Sequence, residues 1–206
     1  MTKSDLIADL NYASAIAKDG AHGPLLGGSI GLMWGVLIIP TLIFHGLTMM
    51  GKTPIPLENI GLVWAAYGLI GGILNGILGR RVGRKAGAGS TLNKVSGAMG
   101  ISMGVIIFSY AIATVYVTAT QGLPIFTYAT IMVLAFALGC MNFATLAKIT
   151  GQRYLKIGAL ISGIFMVICM MNVTTISVYF IAAFGVLCTQ VIPGIIEMNN
   201  ERRHAA

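Results

Sequence analysis

Long uninterrupted apolar runs dominate this chain. They extend approximately over Leu25–Met50, Ile60–Gly79, Gly97–Ala119, Ile125–Ala147, Ile157–Val173 and Ile176–Ile196. A helix needs about 20 apolar residues to cross a bilayer, and none of the six runs carries Asp, Glu, Lys or Arg at its centre. The pattern predicts an all-α, polytopic membrane bundle of six transmembrane helices over residues 25–196. Only Thr174 and Thr175 separate the short fifth run from the sixth, which makes that hairpin's boundaries the least defined. A polar segment, 1–24, precedes the bundle, and a tail, 197–206, follows it.

Composition supports lipid as the main solvent. Of 206 residues, 56% are hydrophobic and 9% charged, against about 25% charged in a soluble domain. The net charge is +7, and its placement matters more than its size. Arg80, Arg81, Arg84, Lys85 and Lys94 fall between the second and third runs; Lys148, Arg153 and Lys156 fall between the fourth and fifth; Arg202 and Arg203 lie in the tail. The intervening loops are nearly bare. Alternating basic and bare loops predict cytoplasmic N- and C-termini. The basic stretch "GRRVGRKAGAGSTLNK", Gly79 to Lys94, is therefore a topology determinant that can also contact anionic lipid. It lacks the Lys directly before Ser/Thr that a phosphate loop requires, and it lacks the interleaved aromatics of a nucleic-acid patch. Lipid, and not nucleic acid, is the expected partner.

Residues 1–24 predict a separate cytoplasmic helix. Ser4 is its N-cap, Asp5 and Asp9 lie near the positive end, and Gly20, Gly23 and Pro24 stop it. Leu6, Leu10, Ala13 and Ala17 share one face. With two lysines against three aspartates it is unsuited to lie on anionic lipid. It can pack on the chain's own basic loops, or dock a cytoplasmic protein partner through Leu6 and Leu10.

Within the runs, glycines recur every fourth residue: Gly27, Gly31 and Gly35 in the first, Gly68, Gly72 and Gly76 in the second, Gly100 and Gly104 in the third. Such stripes let backbones approach and gain the van der Waals contact that lipid otherwise supplies equally well. They are expected to be helix-packing faces within the bundle and not a pore lining, whereas Gly46 lies off the stripe and should tolerate a side chain; a homo-oligomer is a separate partner expectation. The intramembrane polar residues are His45, Asn75, Asn142, Asn172 and Gln190. Interhelical hydrogen bonding is the simplest role for the amides, with Asn142 and Gln190 the candidates to face a solute.

Chemistry has little foothold. Ser29 and His45 lie at opposite ends of one helix, about 24 Å apart at 1.5 Å per residue, so no serine nucleophile is served. A single membrane histidine does not suit a haem. Cys140, Cys169 and Cys188 form no CxxC pair. Met99 and Met103, and the group Met166, Cys169 and Met170, offer soft donors, but methionine more commonly fills apolar gaps. No enzyme activity, cofactor or metal is expected.

The segment "DLNYASAIAKDGAHGPLLGG" (Asp9 to Gly28), Trp34, and "PGIIEM" (Pro193 to Met198) resemble a group of uncharacterised six-span proteobacterial inner-membrane proteins. These share an acidic N-terminal helix, a Pro-Leu-Leu-Gly-Gly entry to the first span and a Pro-Gly near the end of the last. The resemblance implies location and topology and carries no site residues. Two functions fit: a non-enzymatic accessory or sensor subunit, and a small transporter of an uncharged or soft cationic solute. A polar cavity reaching Asn142 and Gln190 would mark the transporter; a core closed by glycine packing would mark the accessory subunit.

Overall fold

A computed structural model describes residues 7, 24–122 and 124–205. Six helices are long and apolar enough to cross a membrane, and among the described residues there is no strand. The chain is an all-α multi-pass membrane bundle. Of the proposed N-terminal helix only Ile7 is described, and it is helical; Leu6 and Leu10 lie outside the described residues.

The helices are α1 (Gly28–Met49), α2 (Ile60–Val82), α3 (Thr91–Gln121), α4 (Thr130–Thr150), α5 (Arg153–Met171), α6 (Ser177–Val186) and α7 (Ile192–Ala205). A π-helical segment, Leu187–Val191, joins α6 to α7 into one span. The boundaries follow local chemistry. Ser90 caps α3, its Oγ accepting from Asn93 N–H at 3.3 Å, so this helix begins six residues before the apolar run at Gly97. Gly122 and Gly151, both with φ near +70°, end α3 and α4 in the left-handed turn that glycine adopts without strain. The last span does not stop at residue 196: α7 continues through Glu197 to Ala205.

Lateral order runs from α2 through α1, the α6–α7 span, α5 and α4 to α3. Two apolar clusters hold it. One gathers Leu42, Phe136, Val178, Tyr179 and Ala182 from α1, α4 and α6. The other gathers Leu25, Leu92, Phe143, Leu146 and Leu155, and so collects the entry to α1, the start of α3, the end of α4 and the start of α5. Both basic loops therefore sit at one end of the bundle.

The helix contacts correct the glycine stripes. On α1 the stripe does face a neighbour, the α6–α7 span. A Cβ on Gly28 would lie 2.6 Å from the Gly194 carbonyl oxygen, and one on Gly194 would lie 2.8 Å from that of Gly28. One on Gly35 would meet Val191 Cγ2 at 2.6 Å. Gly27 and Gly31 have only ordinary contacts, with Glu197 and Gln190 at 3.8 and 3.7 Å. Gly68, Gly72 and Gly76 on α2 and Gly100 and Gly104 on α3 have nothing within 4 Å. Large neighbours decide this. Trp64, Tyr67 and Asn75 turn α2 so that Gly71, beside the stripe, receives the Trp34 ring. On α3 the buried line runs through Leu92 and Thr114, with Met99 and Met103 half-buried along it. Gly100 and Gly104, one residue on, are rotated about 100° outward. Gly46 is likewise not free: a Cβ there would lie 2.9 Å from the Phe180 ring.

Close approach recurs where no four-residue glycine repeat announces it. Gly139 faces Ser162, Gly158 faces Phe143 and Gly163 faces Cys140, so α4 and α5 pack along their length. Gly185 receives Phe136 and Phe165. The small pair Gly158 and Ser162, four apart, is the signal that could have located the α4–α5 contact.

Gly28→Leu and Gly194→Ala should each destabilise the protein by about 1–3 kcal/mol, the usual cost of overpacking. Gly72→Leu and Gly100→Leu should leave stability within about 0.5 kcal/mol. Thermal unfolding in one detergent checks all four; equal losses would contradict the assigned contact at Gly28 and Gly194.

Candidate functional site

In hydrocarbon a polar group without a partner is costly, so each intramembrane polar side chain has to be accounted for. Threonine hydroxyls mostly bond the carbonyl one turn back: Thr41 to Leu37, Thr48 to Phe44, Thr145 to Met141, Thr150 to Leu146 and Thr189 to Gly185, at 2.8–2.9 Å. Asn172 does the same, its Nδ2 donating to the Ile168 oxygen at 2.9 Å. These groups satisfy their own helices and are closed to other chemistry.

Two pairs cross between helices. Trp34 Nε1 donates to Asn75 Oδ1 at 3.2 Å, and Trp64 Nε1 donates to His45 Nδ1 at 3.1 Å. Tyr67 lies between the indoles, with ring centroids 5.6 and 5.4 Å away in edge-to-face geometry. His45 is 2% exposed and its ring centroid is 4.1 Å from that of Tyr179. The aromatic column Trp34–Tyr67–Trp64–His45–Tyr179 thus bonds α2 to α1 and α1 to α6. His45 is a packed, hydrogen-bonded core residue.

Asn142 and Gln190 are brought to different interfaces. Gln190, on the π segment, turns toward α1, its Oε1 3.7 Å from where a Cβ on Gly31 would stand. Asn142 lines a cavity of about 290 Å³ between α3 and α4, together with Met99, Ser102, Met103 and Met141. Its Oδ1 is buried without a hydrogen-bond partner. Gln190 has no part in that cavity. A second, shallower groove of about 510 Å³, bounded by Cys140, Leu160, Gly163 and Ile164, is lined only by apolar side chains and the cysteine.

The basic end is built around a residue that charge counting passes over. Asn93 Oδ1 accepts Leu26 N–H at 3.0 Å, and its Nδ2 donates to the carbonyls of Pro24 and Gly87 and to Ser90 Oγ, each at 3.1 Å. One amide thereby ties the entry of α1 to the loop between α2 and α3. A second tie is the ion pair of Lys85 with Glu201 of α7. Glu197 reaches the first turn of α1, its Oε2 beside Gly27 and its Cβ against Gly28, and it shares a side-chain hydrogen bond with Tyr154 of α5. Arg80, Arg81, Arg84, Lys94, Arg153 and Lys156 are exposed around this end. The Asn at the third position after a Ser cap was the available sequence signal for the clamp. Its partners, 67 and 69 residues distant, were not readable.

No protein-family model, curated protein or solved structure matches this chain.

Replacing Asn93 with Leu leaves the Leu26 N–H and the Pro24 carbonyl without these partners. The expected loss is about 1–3 kcal/mol, accompanied by faster proteolysis at the 24–26 and 83–90 backbone. Unchanged melting temperature and cleavage rate would show that water replaces the clamp at no cost.

Proposed function

We propose that this membrane protein is a non-enzymatic accessory or sensor subunit, inserted with its basic end and both termini in the cytoplasm of a cell inner membrane. The observation that carries the reading is the close packing of α1 on the α6–α7 span. Between α1 and the α6–α7 span, Gly28 meets Gly194 backbone to backbone and Gly35 meets Val191. Such close packing favours a structural interface over a solute path. The polar residues that a pathway would need, Asn142 and Gln190, occupy separate interfaces.

The exposed faces fit a partner within or beside the membrane. Helices α2 and α3 flank the row, each packing mainly on one neighbour, α1 and α4 respectively. Leu62, Leu69, Ile101 and Phe108 point outward from them, toward lipid, a partner's helices or a second copy. At the basic end the ties of Asn93 and Lys85 hold exposed arginines on a fixed frame. Such a frame is suited to anionic headgroups or to a cytoplasmic protein that the N-terminal segment also engages.

Two measurements test this. In a variant without the three native cysteines, a cysteine placed within 51–59 should label from outside and one within 85–90 should not; the reverse would overturn the orientation. After mild-detergent purification, an identified partner should be retained by the parent and lost when Leu6 and Leu10 are both changed to Asp. Retention by that variant would remove the docking role. Solute uptake by the purified protein in sealed liposomes, abolished by Asn142→Leu, would replace the accessory reading with the transporter.

A further inference from the structure

We infer that the cavity between α3 and α4 is a binding site for a small aromatic molecule carrying a hydroxyl group, entering from the lipid. The inference rests on the cavity itself and is independent of the accessory role.

Three features define the ligand. The first is size. A volume of about 290 Å³ lies at the lower edge of the roughly 300–1,000 Å³ range of ligand pockets, room for one substituted ring. The second is the lining. Met99 and Met103, on consecutive turns of α3, and Met141 of α4 border the same space. Thioethers are flexible and polarizable and make favourable contacts with the edges of aromatic rings. The third is the unpaired amide. Asn142 lines the cavity, and its Oδ1 is buried with no hydrogen-bond partner. Asn75 and Asn172, by contrast, are paired, the first with Trp34 and the second with its own helix. An acyl chain could fill the space but would leave Asn142 unpaired, which is unfavourable in so apolar a setting. A hydroxyl donor satisfies it, and the soft χ2 torsion of asparagine lets the amide turn to meet the donor.

The faces of α3 explain how the site stays open. Gly100 and Gly104 look outward with nothing within 4 Å, and Met99 and Met103 line the inward space. Leu92 fixes the base of α3 in the cluster with Phe143 and Leu146. Tyr110 Oη and Thr130 Oγ1, 3.0 Å apart, tie α3 to α4 further along. The cavity lies between these two attachments, so filling it requires neither to break.

The test uses the full chain in detergent with 13C-methyl methionine labels, titrated with 4-propylphenol and its methyl ether, 4-propylanisole. The methyl signals of Met99, Met103 and Met141, assigned by single Met→Leu changes, should shift saturably while the other methionine signals stay put. The phenol should bind about tenfold more tightly than the ether, the worth of one hydrogen bond to a buried group. In Asn142→Leu the ratio should fall to about one; Asn142→Ser, which keeps a polar acceptor in a smaller side chain, should retain part of it. Equal binding of phenol and ether by the parent would overturn the inference, leaving a lipid-chain groove. Shifts at other methionines would also overturn it. So would a response of these three methyls to Ag(I) with none to the phenol, which would make the cavity a soft-cation site instead.

Discussion

Backbone contact between Gly28 and Gly194 is the constraint from which the arrangement of helices follows. Lipid solvates apolar side chains as well as other helices do, so a bundle in lipid is held by close packing and polar bonds instead of by burial. Helix α1 touches α2, α6, the π segment and α7, and it can do so because one side presents no side chain at Gly28 and Gly35. Once α1 lies against the last span, Trp34 and His45 point at α2, and the indole–amide and indole–imidazole bonds fix that helix in turn. On the other flank α6 leads to α5, and the α4–α5 hairpin is closed by Gly139, Gly158 and Gly163. Helix α3 then attaches to α4 through Leu92 and Tyr110.

Polar chemistry is distributed by the same economy. Threonines return their hydroxyls to their own helices, and Asn75 and His45 are consumed by tryptophans. Asn93 is consumed by backbone at the basic end. What remains is a short set of buried atoms with no partner, among them Asn142 Oδ1, Ser162 Oγ and Tyr179 Oη. The asparagine borders a cavity large enough for a ring. Uncommitted polarity and open volume coincide there.

The spans were legible in the sequence because hydropathy depends on composition over a window, and lipid enforces composition directly. The glycine repeats were legible as spacing and misleading as contact. The repeat at Gly27, Gly31 and Gly35 does face a neighbour, while that at Gly68, Gly72 and Gly76 does not, because Trp64, Tyr67 and Asn75 set the rotation of α2. Glycine is compatible with a helix contact and equally with a lipid-facing surface; the bulky partner opposite decides which. Gly46 failed as a neutral position for the same reason, since Phe180 comes from a helix more than 130 residues away. Asn142 stood out by type alone, whereas its cavity depended on how α3 leans on α4, which no local pattern encodes.

The π segment at Leu187–Val191 sets the phase of everything that follows it. Ile192 N–H bonds back to the Leu187 oxygen, five residues away, so the turn holds one residue more than α geometry would. Winding these same residues as a regular α-helix would rotate the rest of the span by about 100°. Gly194 would swing off Gly28, and Glu197 would leave the first turn of α1. The segment is a built-in register offset: it lets Tyr179 face the His45 end of α1 and Gly194 face the Gly28 end, two directions a uniformly wound helix of this sequence would not present together.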